Sequence, residues 1–202
     1  MTDDGLVRCA WGAGGAMRDY HDREWGRPVT DETGLYERLC LEAFQSGLSW
    51  STILAKREGF RRAFAGFEPD AVTRFGARDV ERLLGDAAIV RNRAKIEAAI
   101  ANAGAVVALR GGEAPFAELV WSFAPATSPA PGQEGDIPAV TVESKALAKA
   151  LKANGVRFVG PTTAYALMQA CGLVNDHVAG CHVRAAVEAE RTVALQRLAA
   201  RS

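Results

Sequence analysis

Gly155-Val156-Arg157-Phe158-Val159-Gly160-Pro161-Thr162-Thr163-Ala164 is the stretch on which the fold turns. Upstream of it, Val142–Ala153 has helical spacing, and the first helix is expected to end at Ala153 or Asn154. Downstream, an apolar helix is expected from Thr162 to Ala170. Pro161 suits the first position of that helix, where its missing N–H is not needed. The amides of the turn and the positive end of the second helix would then face outward together, a place for one phosphate group. A plain hairpin of two helices, with no ligand, has the same local pattern.

Working outward, helical periodicity runs through most of the chain. Thr33–Phe44 sets Leu35, Leu39 and Ala43 on one stripe, Gly47 interrupts it, and Ser49 can cap a helix carrying Trp50, Ile53 and Leu54. Phe60, Phe64 and Phe67 follow, and Pro69 breaks the run. Further helices are expected over Asp79–Leu84, Arg91–Leu109, Pro115–Phe123 and Arg184–Leu198. Ala124–Ala139, with four prolines and two glycines, reads as a loop, a linker or flexible surface segment. No strand alternation and no internal repeat is found, so the fold class is all-α.

The chain has 202 residues with 24 Lys plus Arg against 24 Asp plus Glu. A net charge of zero excludes a blanket polyanion binder, because such proteins carry a strong basic excess. Any nucleic-acid contact needs its cations sorted onto one face. Lys56, Arg57, Arg61 and Arg62 follow the Trp50 helix start, Arg91, Arg93 and Lys95 open another helix, and Lys145, Lys149, Lys152 and Arg157 lead into the turn. Acids gather elsewhere, as at Asp3, Asp4, Asp31 and Glu32. The 49% apolar and 24% charged content is that of a folded globular protein. No apolar run reaches the roughly 20 residues of a membrane span. Met1–Arg8 lacks the apolar core of a signal peptide, so cytoplasm is the expected compartment.

In a reducing compartment, Cys9, Cys40, Cys171 and Cys181 are core residues, metal ligands or catalytic groups before they are disulfides. Cys9 and His21 lie near one end, with eleven residues between them; His177 and Cys181 lie near the other, with three between. Two thiolates and two imidazoles can close a tetrahedral structural zinc site. The alternative is a pair of unrelated thiols with ordinary histidines. Glu42 and Gln45 sit one turn apart on an otherwise apolar stretch, beside Phe44 and Trp50. A carboxylate there can hold a flat ligand, or can lie on an exposed face. Tyr20, Trp11 and Trp25 add aromatics around the first Cys/His pair.

The runs Arg8-Cys9-Ala10-Trp11, Tyr20-His21-Asp22-Arg23-Glu24-Trp25-Gly26, Leu41 to Trp50, Leu119-Val120-Trp121-Ser122-Phe123 and Phe158 to Cys181 together resemble the 3-methyladenine DNA glycosylase I family of the helix-hairpin-helix superfamily. The most specific string is Met168-Gln169-Ala170-Cys171-Gly172-Leu173-Val174-Asn175-Asp176-His177-Val178, and the resemblance spans roughly residues 8 to 183. It implies two helical lobes and one structural Zn2+ per chain on Cys9, His21, His177 and Cys181, tying the chain ends. It implies a glycosylase domain over residues 1–183, with the hairpin at 150–170 and a helical tail at 184–202. Gly155, Phe158, Val159, Gly160 and Thr162 become the DNA-anchoring hairpin, and Leu48 the residue that fills the gap in the duplex. Glu42, the catalytic candidate, is expected to bind the base with Trp50, Tyr20 and Gln45.

The implied activity is monofunctional hydrolysis of the N-glycosidic bond of 3-methyladenine in double-stranded alkylated DNA, carried out by a monomer. Asn175 stands where many superfamily members place a catalytic Asp, and Thr162 where bifunctional members place a Lys, so no Schiff base is expected. The hairpin reads Phe158-Val159-Gly160 where the superfamily often has Gly-Val-Gly, and Met17 stands where an aromatic is expected. The rivals are a non-catalytic zinc-stapled DNA-binding protein and a glycosylase of broader alkylpurine scope, such as 3-methylguanine.

Overall fold

The structure is a computed structural model that describes residues 4–112 and 114–200. Ten α-helices are found among them: α1 (Gly15–Arg23), α2 (Glu32–Gln45), α3 (Trp50–Ala63), α4 (Pro69–Val72), α5 (Ala77–Gly85), α6 (Arg93–Leu109), α7 (Phe116–Trp121), α8 (Val142–Ala153), α9 (Pro161–Ala170) and α10 (Arg184–Ala199). No strand occurs among the described residues, in keeping with the all-α expectation. No helix there is long and apolar enough to cross a membrane.

Capping chemistry sets several boundaries. The Asp31 carboxylate accepts from Gly34 N–H at 2.7 Å to start α2. Ser49 Oγ accepts from Thr52 N–H at 3.2 Å to start α3, and Asn92 does the same for α6 through Lys95 N–H. Pro69 does not end order, as its sequence position suggested. It occupies the first turn of the short α4, where proline needs no N–H partner. α1 is a helix that its sequence does not signal, because its start lies in the glycine run Gly12–Gly15.

α2 is the central helix. It packs against α3, α6, α7 and α9, and Leu35, Tyr36, Leu39, Leu41 and Phe44 along it are fully buried. Phe60, Phe64 and Phe67 join the same core, with Phe64 and Phe67 stacked at 5.5 Å. α8 and α9 form the hairpin against this core. A second, smaller apolar cluster gathers Cys9, Cys181, Val183 and Val187 where the two ends of the chain meet.

Candidate functional site

The first group of site residues comes from three helices converging on one cleft of about 420 Å³. α1 supplies Met17 and Tyr20, α2 supplies Glu42 and Gln45, and α3 supplies Trp50. Trp11 and Trp25 complete an aromatic rim. Tyr20 lies 5.2 Å from Trp50 between ring centroids, and Trp11 lies 5.0 Å from Trp25. The Trp50 indole N–H is buried with no acceptor among the described residues, a donor that a bound ligand can use.

Glu42 is the one acid on the buried part of α2, and only 6% of it is exposed. Burial pushes its carboxyl up to about 8, against a smaller downward pull from Arg38 one turn earlier. No described residue makes a hydrogen bond to it. Arg38 instead donates through Nη2 to Glu24 at 2.9 Å, its buried Nη1 has no partner among the described residues, and its guanidinium lies 5.8 Å from the Tyr20 ring centre. Tyr20 is held well above the ordinary phenol range by burial and, next, by Glu42. The cleft therefore presents flat π-surfaces around a carboxyl whose burial favours the neutral form.

The cleft also has liners that the sequence reading did not single out: Glu134, Ile137, Ala166 and Gln169. Glu134 and Ile137 belong to the proline-rich 124–139 segment, so that segment is a wall and not a free linker. It escaped notice because its anchors are distant in sequence. Trp11 N–H donates to Glu134 Oε1 at 3.3 Å, and Ala179 N–H to the Pro131 carbonyl at 2.8 Å. On α9, the Gln169 amide donates to Asp176 at 2.8 Å, and the Tyr165 hydroxyl donates to the same oxygen at 2.6 Å. The Gln169 NH2 group is turned to Asp176, which leaves its carbonyl oxygen as an acceptor beside the cleft. Asn175 is fully buried outside the cleft lining, with its amide donating to the Arg184 carbonyl and to Glu188.

Cys9, His21, His177 and Cys181 are all buried, and their four ligand atoms lie within 4.8 Å of one another, an arrangement that can hold a metal ion. Cys181 Sγ is 3.4 Å from His21 Nε2 and 3.6 Å from His177 Nδ1, and Cys9 Sγ is 3.7 Å from His177 Nδ1. The far nitrogens are oriented from outside. His21 Nδ1 meets Asp22 at 2.7 Å, and His177 Nε2 meets the Trp25 carbonyl at 3.1 Å. The Cys181 thiol is pulled far down, first by the Cys9 thiol and then by His177 and His21. The chain is tailored to the cluster: a Cβ on Gly12 would fall 2.5 Å from the His21 ring.

The hairpin turn is closed by a Schellman motif. Gly155 takes φ +85°, Val156 N–H reaches the Leu151 carbonyl at 3.0 Å, and Gly155 N–H reaches the Lys152 carbonyl at 3.0 Å. Asn102 of α6 then clamps the turn from behind. Its Oδ1 accepts from Arg157 N–H at 2.7 Å and its Nδ2 donates to the Arg157 carbonyl at 3.1 Å. Val159 is buried, whereas Phe158 is 46% exposed at φ +57°, a left-handed conformation costly for a residue with a Cβ. Gly160 caps α9, and Thr162 lies in its first turn, where the N–H groups have no intrahelical partners. Leu48 protrudes, 41% exposed, from the α2–α3 turn next to Gly47 at φ +82°.

The expected basic face is smaller than the sequence suggested. Arg57 pairs with Glu24, Arg61 with Glu37 and Glu58, and Arg93 with Glu81 and Glu97. Lys95 turns inward, and its Nζ donates to the Phe44 carbonyl at 2.9 Å at the end of α2. Lys56 donates to the Ala87 carbonyl at 2.7 Å, whereas Arg62, Arg91, Lys145, Lys149, Lys152 and Arg157 are exposed with no ion-pair partner among the described residues. The three lysines share one face of α8 and lead to the turn. Asp31 and Glu32 are spent on the α2 cap and on Arg110, and Asp3 lies outside the described residues.

The family model for methyladenine glycosylase matches residues 11–185. The DNA-3-methyladenine glycosylase 1 of Escherichia coli (strain K12) is 48% identical over 180 residues, covering 87% of this chain and 96% of that protein. A crystal structure of a 3-methyladenine DNA glycosylase I is similar with TM-score 0.84 at 46% identity, covering 87% of this chain and 98% of that one. A point variant of another 3-methyladenine DNA glycosylase I, solved in complex with 3-methyladenine, is similar with TM-score 0.83 at 32% identity, covering 88% of this chain and 97% of that one. The family match stops at residue 185, so nearly all of α10 lies outside it.

Proposed function

The chain belongs to the methyladenine glycosylase family, and we infer from that premise that it is a DNA-3-methyladenine glycosylase of base excision repair. The observation that carries the reading is a buried, raised-pKa carboxyl, Glu42, inside an aromatic cleft. Adenine methylated at N3 of its nucleotide is a cation with a weakened glycosidic bond. It needs no proton from the enzyme to leave. The protein must extract it from the stack, bind it in preference to neutral bases, and stabilise the positive charge as it moves to the sugar.

In this reading the hairpin, Gly155 through Thr162, grips a backbone phosphate, and Leu48 fills the space the lesion vacates. Tyr20 and Trp50 stack on the purine, partly through cation–π attraction. Glu42 ionises as the cation enters and accepts hydrogen bonds from the adenine edge, while Gln45 lines the entrance beside it. The C1′–N9 bond breaks, its electron pair stays on the departing base, and neutral 3-methyladenine is formed. Water adds its oxygen to C1′ and gives up a proton, leaving an abasic site. The partner is double-stranded DNA with alkylated bases, and the enzyme works as a cytoplasmic monomer with one lesion per cleft.

The domain is read as residues 1–183, two helical lobes meeting at the cleft, with the tail at 184–202. The metal is read as one structural zinc. Bonds of about 2.3 Å to sulfur and about 2.05 Å to nitrogen in a tetrahedron put S and N about 3.5 Å apart, which agrees with 3.4 to 3.7 Å here. A zinc so held cross-links the chain ends and adds folding free energy; four protein ligands leave it no open position.

A base-release assay on alkylated duplex DNA tests the function. Release of 3-methyladenine alone is expected. Additional alkylpurines would enlarge the scope, and tight binding without release would favour the non-catalytic reading. Purified protein should contain about one zinc per chain. Chelation should lower its melting temperature steeply, and a metal-free protein with unchanged melting would remove the zinc assignment.

A further inference from the structure

We propose that α10, nearly all of which lies beyond the family match, is a strap that positions one wall of the base cleft, with Arg191 and Arg184 as its positioning residues. The inference rests on reading that cleft as the base pocket. Arg191 is 1% exposed, although nothing about a terminal helix requires a buried guanidinium. Its Nε donates to the Leu173 carbonyl at 2.9 Å, its Nη2 donates to the Pro125 carbonyl, and Glu188 faces its Nη1 at 3.1 Å. Arg184 repeats the arrangement one stage further along. Its Nη2 donates to the Ser128 carbonyl at 2.9 Å, and its Nη1 donates to the Asn175 and His177 carbonyls, each at 2.6 Å.

Both arginines therefore bridge two backbones that no regular structure joins. One is the 173–177 segment, fixed by α9 and by the Cys/His cluster. The other is the start of the proline-rich segment, which further on presents Glu134 and Ile137 to the cleft. Prolines leave that segment poor in N–H donors, so it cannot hold itself by a backbone ladder. Of its carbonyls, its own N–H groups reach only those of Gln133 and Glu134; those of Pro125 and Ser128 are held by donors from elsewhere, and a guanidinium offers several in a rigid fork. Asn175 completes the link: its N–H donates to Ser128 Oγ at 2.8 Å, and its amide binds the Arg184 carbonyl and Glu188 at the start of α10. The tail and the loop are parts of one device, and the device ends at the base.

A strap of this kind alters how well the cleft receives the base more than how fast the bond breaks. In full-length, metal-replete Arg191→Met, KM for a duplex carrying 3-methyladenine should rise roughly tenfold while kcat stays within about twofold. Hydrogen exchange across 125–137 should quicken, with protection in α2 and α3 unchanged. Arg191→Lys should recover part of the KM. Ile137→Ala trims the wall directly, and adding it to Arg191→Met should raise KM no further than the larger single change. Arg184→Gln, at a half-buried site, carries the same test if Arg191→Met does not fold. A lowered melting temperature with unchanged KM and unchanged 125–137 exchange would overturn the strap, as would fully additive effects. Glu42→Gln separates the two levels. If it loses excision while Arg191→Met keeps a normal KM, only the strap fails; if it excises normally, the pocket reading fails and the strap with it.

Discussion

Glu42 couples the stability of the protein to its chemistry. Its carboxyl ordinarily titrates at 4.5 and is pushed up to about 8 by burial. Between those values the folded protein keeps a proton that the unfolded chain has released, so the Glu42 contribution to stability falls as pH rises from about 4.5 to about 8. Glu42→Gln removes the ionisation and nearly keeps the shape. The variant should gain on the wild type as pH rises, by about 2–4 kcal/mol at pH 8 relative to pH 5, read as diverging melting temperatures. Parallel melting curves at the two pH values would show that the carboxyl is not buried in this way. Activity should run the other way. If the ionised form receives the cation, kcat/KM rises toward pH 8, while the limb in kcat lies lower because the bound cation favours ionisation. Glu42→Gln should lose that limb and about 10- to 100-fold in kcat/KM, the worth of a charged hydrogen bond.

Among the elements, the hairpin shows most clearly how a local pattern and a distant residue divide the work. Gly155 and Pro161 announce the turn because each does something only its residue type does cheaply. Asn102, which clamps the turn from 55 positions upstream, announces nothing. Asn102→Ala would leave the Arg157 N–H and carbonyl without partners, at a cost of about 1–3 kcal/mol. It should weaken binding of damaged and undamaged duplex alike and leave affinity for free 3-methyladenine unchanged. Unaltered duplex binding, by fluorescence anisotropy, would mean that the turn does not anchor DNA. The same contrast governs the rest of the fold. α8 is legible to the residue, as Val142–Ala153, because Thr141 and Ser144 form a capping box and apolar positions recur every third or fourth residue. α1 hides behind glycines. Glu42 stands out as a lone acid on an apolar helix, with Trp50 nearby, whereas Glu134 and Ile137 lie in a proline-rich run whose path is dictated by Arg184 and Arg191. Residues that act through their own type were readable, and those that act through tertiary placement were not.

Over the whole molecule, zero net charge conceals a division of labour among the cations. Arg57, Arg61 and Arg93 are neutralised by partners within the fold, and Lys95 caps the end of α2. Among the described residues, the α8 stripe of Lys145, Lys149 and Lys152, continued by Arg157, is exposed, free of ion pairs and leads directly into the hairpin, and Arg62 and Arg91 are exposed and unpaired as well. Such a footprint should release few counterions. With about four phosphate contacts, the slope of log K against log salt should be about −3 to −4, a loss of roughly 10²-fold in non-specific affinity between 50 and 200 mM salt. Lys149→Gln should reduce the magnitude of that slope by about one and weaken all duplexes equally. Arg93→Gln, which removes an equal formal charge from an already paired site, should leave the slope unchanged. If both substitutions shifted it equally, net charge rather than a defined stripe would govern binding, and the acidic partners of Arg93 would have to open when DNA arrives. A modest slope carried by a short stripe suits an enzyme that must leave undamaged sequence quickly, since its hold there would rest on a few exchangeable contacts while its selectivity rests on the Glu42 cleft.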